Sequence, residues 1–163
     1  MKNGHYACPE ATRQDPQTVG ESAHEGVRLT RYPICPGITL IYRDIHAVSQ
    51  EEEGAGDARV LEIRHCLEGR MEYTVGEDTY CLAPGDLSVS EIGALPRETR
   101  FPTGHFHGVS VLIDIDRAPG CLSCLLEDVN VEPLALAEKF CGDGRVYVSH
   151  SSQRVEHIFS ELY

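Results

Sequence analysis

From residue 29 onward, apolar and polar residues alternate in short runs broken by glycine, proline and acidic clusters. That rhythm predicts antiparallel strands, because successive side chains of a strand face opposite sides of its sheet. Ile38 to Ile45 is the strongest run, β-branched and aromatic. Arg59 to Leu67 and Arg70 to Val75 read as hairpin partners about Glu68-Gly69, and Thr79 to Leu82 follows the turn at Gly76-Glu77-Asp78. Pro84-Gly85-Asp86 turns the chain into a strand over Leu87 to Ile92. His107 to Asp116 is the last of the series, with a run from Val109 to Ile113 long enough to be buried. Three stretches lack the pattern. Arg31 to Pro36 is punctuated by two prolines, Gln50 to Asp57 is an acidic glycine loop, and Gly93 to Pro102 is a polar loop.

The period then changes. Pro119 to Glu127 reads as a short helix with proline in its first turn, and Pro133 to Phe140 as a second, ended by Gly142 and Gly144. Arg145 to Ser149 is a short strand. Ser151 or Ser152 can cap a last helix, on which Val155, Ile158, Phe159 and Leu162 make one apolar stripe. The stripe reaches Tyr163 without a stop signal, so the helix is expected to continue into a further part of a longer protein. The alternative is a frayed helix docked on its own domain. Residues 1 to 28 are polar and aperiodic and read as a mobile arm or a disordered start. The expected organisation is therefore an arm over 1–28, a β-barrel over 29–117 and a helical appendage over 118–163. The fold class is mainly β, with a few α-helices after the barrel.

Composition narrows the function. At 163 residues and 41% hydrophobic, the chain can bury one real core. No stretch has the length of a membrane span, and the N-terminus lacks the apolar region of a signal peptide, so the expected compartment is the cytoplasm. The net charge of −12 repels phosphate backbones, so any action on DNA needs another domain. The seven cysteines are scattered. Cys121 and Cys124 form the sole CxxC, and no second ligand pair accompanies them for a structural zinc site.

Candidate chemistry is sparse. No nucleophile motif and no phosphate-binding glycine loop is present, so no catalytic residue is named. His105-Phe-His107 is the one HxH, and residues at i and i+2 of a strand share a face, so both rings could meet one ion. A third ligand would be His65 or Glu62. Against this, the bland reading has one of the pair at a barrel mouth and the other exposed. A second possibility is a pocket. Thr39, Tyr42, Arg43, Glu62, Arg64, Tyr73, Ser88 and Ser90 place polar groups in apolar strands. Glu62 and Arg64 share a face, which is either solvent or a charged pocket. The pocket hypothesis draws on Tyr42, Glu62, Arg64, Tyr73, His105 and His107.

The stretch LEIRHCLEGRMEYTVGEDTYCLAPGD, Leu61 to Asp86, resembles the cupin barrel. A metallo-cupin carries two histidines and a glutamate just before this hairpin and a third histidine after the PGD turn. Here Asp57 to Cys66 offers one histidine, and Ala94 to Arg100 offers none, so neither a metal nor another cofactor is expected. Over residues 29 to 163 the order and spacing of several phrases resemble the N-terminal sensor region of AraC-type transcription regulators. These are Pro36 to Tyr42, Leu61 to Cys66 with Glu68-Gly69-Arg70, Pro84 to Ser88, His107 to Asp114 and His157 to Tyr163. The resemblance implies a cupin-like barrel that binds a small-molecule effector of unknown identity. Its helices would pair two protomers through Val155, Ile158, Phe159 and Leu162, and a C-terminal helix-turn-helix domain outside this chain would contact DNA. On this reading the chain is no enzyme and meets no membrane. The competing readings are a metal-dependent cupin enzyme of isomerase or dioxygenase type, and a dimerisation module with no ligand.

Overall fold

The computed structural model describes residues 17–19, 26–120 and 131–163. Eleven strands run in chain order through them: β1 (Gln17–Val19), β2 (Val27–Cys35), β3 (Ile38–Ile45), β4 (Ser49–Glu52), β5 (Val60–Gly69), β6 (Met71–Val75), β7 (Asp78–Leu82), β8 (Asp86–Glu91), β9 (Arg97–Arg100), β10 (Phe106–Asp114) and β11 (Tyr147–His150). The helices are α1 (Pro133–Cys141), between β10 and β11, and α2 (Gln153–Ser160), after β11. The strands form two antiparallel sheets, of order β1-β2-β3-β10-β5-β8-β11 and β4-β9-β6-β7. This is the mainly β architecture with a few appended helices that the alternating runs lead one to expect.

The central strands of the large sheet bury side chains on both faces. Inward, Val27, Ile45, Cys66 and Phe106 meet Met71, Tyr73, Leu82 and Phe101 to form the barrel core. Outward, Ile38, Leu61, Val89 and Ile113 pack under Ala137 and Cys141 of α1. Each large apolar side chain so buried contributes roughly 1.5–3 kcal/mol. Ser152 caps α2, its hydroxyl accepting from the Val155 amide at 3.4 Å.

Four strands, β1, β2, β4 and β9, depart from the sequence expectation. β2 tolerates Pro33 because its register with β3 slips between Pro33 and Cys35. It begins at Val27, inside the span read as an arm, and residues 17–19 pair with it. β4 and β9 were read as loops because both are polar throughout; they pair with each other from Ser49↔Arg100 to Glu52↔Arg97. The helix expected over Pro119 to Glu127, from Cys121 on, lies outside the described residues, as do Cys8 and Cys124.

Gly69 closes β5 with a left-handed φ of 81°, and a β-carbon there would stand 2.1 Å from the His105 carbonyl oxygen. No L side chain meets both demands. Gly69→Ala is expected to cost about 2 kcal/mol or more of unfolding free energy in urea. An unchanged urea midpoint would contradict this close approach.

Candidate functional site

The barrel interior is charged. Arg43 and Arg64 point inward from the large sheet, and Glu52 and Arg97 from the small one. Glu62 also points inward from β5, beside Arg64. Arg43 bonds Glu52 at 2.7 Å and Glu62 at 3.0 Å. Arg64 reaches Glu52 at 2.9 Å and both oxygens of Glu62 at 2.8 and 2.9 Å. Thr99 donates to Glu52 and Ser110 accepts from Arg43, each at 2.9 Å. Burial alone would raise the Glu52 carboxyl, but Arg64, Arg43 and Arg97 outweigh it and hold it well below the ordinary range. Glu62 is lowered in the same way, burial being outweighed by Arg64 and Arg43. Burial also lowers Arg43, with Arg64 adding to it.

Three guanidiniums here meet two carboxylates. Arg97 is the least satisfied of them: it lies 3.2 Å from Glu52, 3.9 Å from Glu62 and 4.4 Å above the Tyr73 ring. It also lines an open cleft of about 530 Å³. The cleft lies where the β6–β9 ladder gives out after its two register pairs, Glu72↔Arg100 and Tyr73↔Thr99. Glu72, Tyr73, Pro96, Glu98 and Arg100 complete most of its wall. The cupin-type interior metal place does not fit a cation here. Its two carboxylates, Glu52 and Glu62, are already matched by Arg43, Arg64 and Arg97, and Arg97 stands in the segment where a third histidine would fall.

Asp44 and His107 are cross-strand partners on the outer face of the large sheet, and His46 follows β3. The Nε2 atoms of His46 and His107 lie 3.0 and 3.1 Å from Asp44 Oδ1 and 3.4 Å from each other. The Nδ1 of His107 lies 3.5 Å from Glu68 Oε2. Further along the same face, His65 stacks on Phe159 of α2 with ring centroids 4.4 Å apart. Burial lowers its pKa, and neither ring nitrogen has a hydrogen-bond partner. Tyr42 donates to the Leu162 carbonyl and meets the Tyr163 ring edge-on.

The six expected ligand-binding residues therefore do not line one pocket. Glu62, Arg64 and Tyr73 lie inside the barrel, where the first two saturate each other. Tyr42 and His107 belong to the opposite face of the sheet. His105 approaches His107 with ring centroids 6.0 Å apart, but His107 gathers Asp44 and His46 rather than His65 or Glu62. Of the last-helix stripe, Phe159 covers the chain's own barrel and Ile158 stays 55% exposed. Sequence reasoning missed Asp44, His46, Glu52 and Arg97. Asp44 and His46 share an i, i+2 spacing that would have flagged them once β10 was placed beside β3.

No protein-family model matches the chain, and no curated protein matches it. Solved structures resemble part of it. One is an HTH_3 family transcriptional regulator from Vibrio cholerae, 17% identical over 54% of this chain and 51% of that chain, with a TM-score of 0.45. Another is a variant of Bacillus subtilis oxalate decarboxylase, 13% identical over 61% of this chain and 28% of that chain, with a TM-score of 0.47. A cupin superfamily protein from Desulfitobacterium hafniense is 14% identical over 58% of this chain and 83% of its own, with a TM-score of 0.45. The match thus spans about half of the regulator and about a quarter of the decarboxylase. The expectation that this chain is no enzyme and holds no metal does not stand against its own geometry, in which Asp44, His46 and His107 bring metal-ligating atoms together. No helix among the described residues is long and apolar enough to cross a membrane.

Because the Glu52 and Glu62 carboxyls are lowered on folding, the stability they contribute is present above the ordinary carboxyl pKa of about 4.3 and is lost as pH falls below it. Urea unfolding of the wild type should show a steep acid limb there. Glu52→Gln should cost about 3–5 kcal/mol at neutral pH and flatten that limb. An acid limb as steep in the variant as in the wild type would contradict the ion network.

Proposed function

We propose that this chain is the small-molecule-binding and dimerising domain of an AraC-type transcription regulator, and that its effector is anionic. The observation carrying the second part is the unequal count of charges in the barrel, where Arg97 faces the cleft with its charge incompletely matched. A carboxylate or phosphate entering the cleft would meet Arg97 as a planar donor fork and complete the pairing from outside. The cleft has the volume of an ordinary small-molecule site. Glu72 and Glu98 on its wall would disfavour a molecule with dispersed negative charge and favour one with a single anionic head.

The regulator reading is supported by the phrases resembling the AraC sensor region, and the net charge of −12 agrees with it by making this domain a poor DNA binder; on this reading a helix-turn-helix domain outside this chain would contact DNA. Ile158 and Leu162, still exposed, would meet a second copy. Occupancy of the cleft would be felt by β9 and β6, and through Arg97 by Glu52 and Glu62, which tie the small sheet to the large one. A ligand that binds one arrangement of the sheets better than another shifts their balance by that difference and no more.

Thermal unfolding in the presence of small carboxylates, phosphates and neutral sugars tests this. Some anionic compounds should stabilise the protein, by about 2.7 kcal/mol at a hundredfold excess over Kd, and Arg97→Ala should abolish the effect. Stabilisation by neutral sugars alone, or an anion effect that survives Arg97→Ala, would defeat the proposal.

A further inference from the structure

We propose that Asp44, His46 and His107 form a binding site for a divalent transition-metal ion of the zinc class, on the outer face of the large sheet. The site is separate from the barrel interior, and it does not depend on the anionic-ligand reading above.

Its dimensions suit an ion. Zinc binds imidazole nitrogen at about 2.0–2.1 Å, so two ligands of a tetrahedral ion stand about 3.3 Å apart. The three donor atoms here are separated by 3.0, 3.1 and 3.4 Å, the edges of one such tetrahedral face. Two imidazoles and a carboxylate are a donor set that zinc, cobalt, nickel and copper accept.

Three further observations point to a ligand between these atoms. Asp44 Oδ1 is shielded from solvent, yet it accepts no hydrogen bond of good geometry from either ring. A buried carboxylate oxygen in that state needs a cation or a proton. The Glu68 carboxylate stands 3.5 Å from His107 Nδ1 and favours a proton there. That choice leaves the Nε2 lone pair facing Asp44, as in carboxylate–histidine–metal arrangements. Finally, the backbone holds the ligands in place before any ion arrives. The His46 amide donates to the Gly26 carbonyl at 2.6 Å, and the β10–β5 register slips between His107 and Gly108. Such a bulge re-aims the side chain beside it.

Arg28 lies 3.8 Å from the other oxygen of Asp44, Oδ2, and leaves Oδ1 to the two rings. In the metal-free protein, one ring can donate to the other across 3.4 Å. An ion would replace that proton. His46 is 61% exposed, so the fourth coordination position would open to water. Three protein ligands and one open position are the pattern of zinc sites that take an exogenous ligand.

Titration of the full chain with zinc by calorimetry, and with cobalt followed by visible absorption, tests the site. One equivalent is expected per chain at this site, with the visible band of tetrahedral cobalt. The His46→Ala/His107→Ala double variant should lose both while keeping the wild-type circular dichroism, since neither ring is part of the buried core. Cys121→Ser/Cys124→Ser should leave both unchanged, and Glu68→Gln should weaken zinc binding roughly tenfold or more at unaltered stoichiometry. A double variant that binds zinc as the wild type does, or a wild type that takes up none, would overturn the proposal. So would loss of the equivalent on replacing the two cysteines.

Discussion

The barrel is closed by charge. Its small sheet presents Glu52, Arg97 and Thr99 inward, and the large sheet answers with Arg43, Arg64, Glu62 and Ser110. β4 and β9 bring almost no apolar side chain to the core, so hydrophobic burial alone does not seat them. Desolvating such ions is expensive, and the cost is recovered only when every partner is in place. This makes the closure conditional: with one carboxylate removed, two guanidiniums would be left facing each other. The protonation state of Glu52 and Glu62 therefore governs whether the two sheets meet correctly.

The large sheet separates the remaining features onto two sides. Period-two geometry sends Arg43 inward and Tyr42 and Asp44 outward from one strand, and Ser110 inward and His107 outward from another. The interior is dominated by guanidiniums and suits an anion approaching through the cleft. The outer face carries imidazoles and a carboxylate and suits a cation. α1 and α2 cover that outer face through Ala137, Cys141 and Phe159, so the helices and the Asp44 cluster share one surface. Glu68 and Gly69, at the end of β5, touch both worlds. Gly69 lies against the His105 backbone, and Glu68 faces His107.

What the sequence revealed follows from the same physics. Strands with apolar inward positions, such as β3 and β10, were legible because their alternation is hydrophobic. β4 and β9 were not, because their inward positions are ionic and look like loop residues. Pro33 hid β2 for a different reason: a register slip absorbs it. Glu62 and Arg64 share a face as their spacing implies, but their partners Glu52 and Arg97 come from strands that no apolar pattern announces. The HxH was visible, yet spacing alone could not show that His107 would turn to Asp44 and His46 rather than to His105. That depends on β3 lying beside β10, a long-range pairing.

The ionisation of the two buried carboxyls tests the account most directly. Carbon-13 NMR of the Glu52 and Glu62 side-chain carboxyls can follow them as pH is lowered through the ordinary carboxylate range, while the protein remains folded. Both should stay ionised to well below the ordinary glutamate pKa of about 4.3, because Arg64 and Arg43 outweigh the effect of burial. Titration of either at or above that value would show a desolvated carboxyl without its guanidinium partners, and the charged closure of the barrel would be wrong.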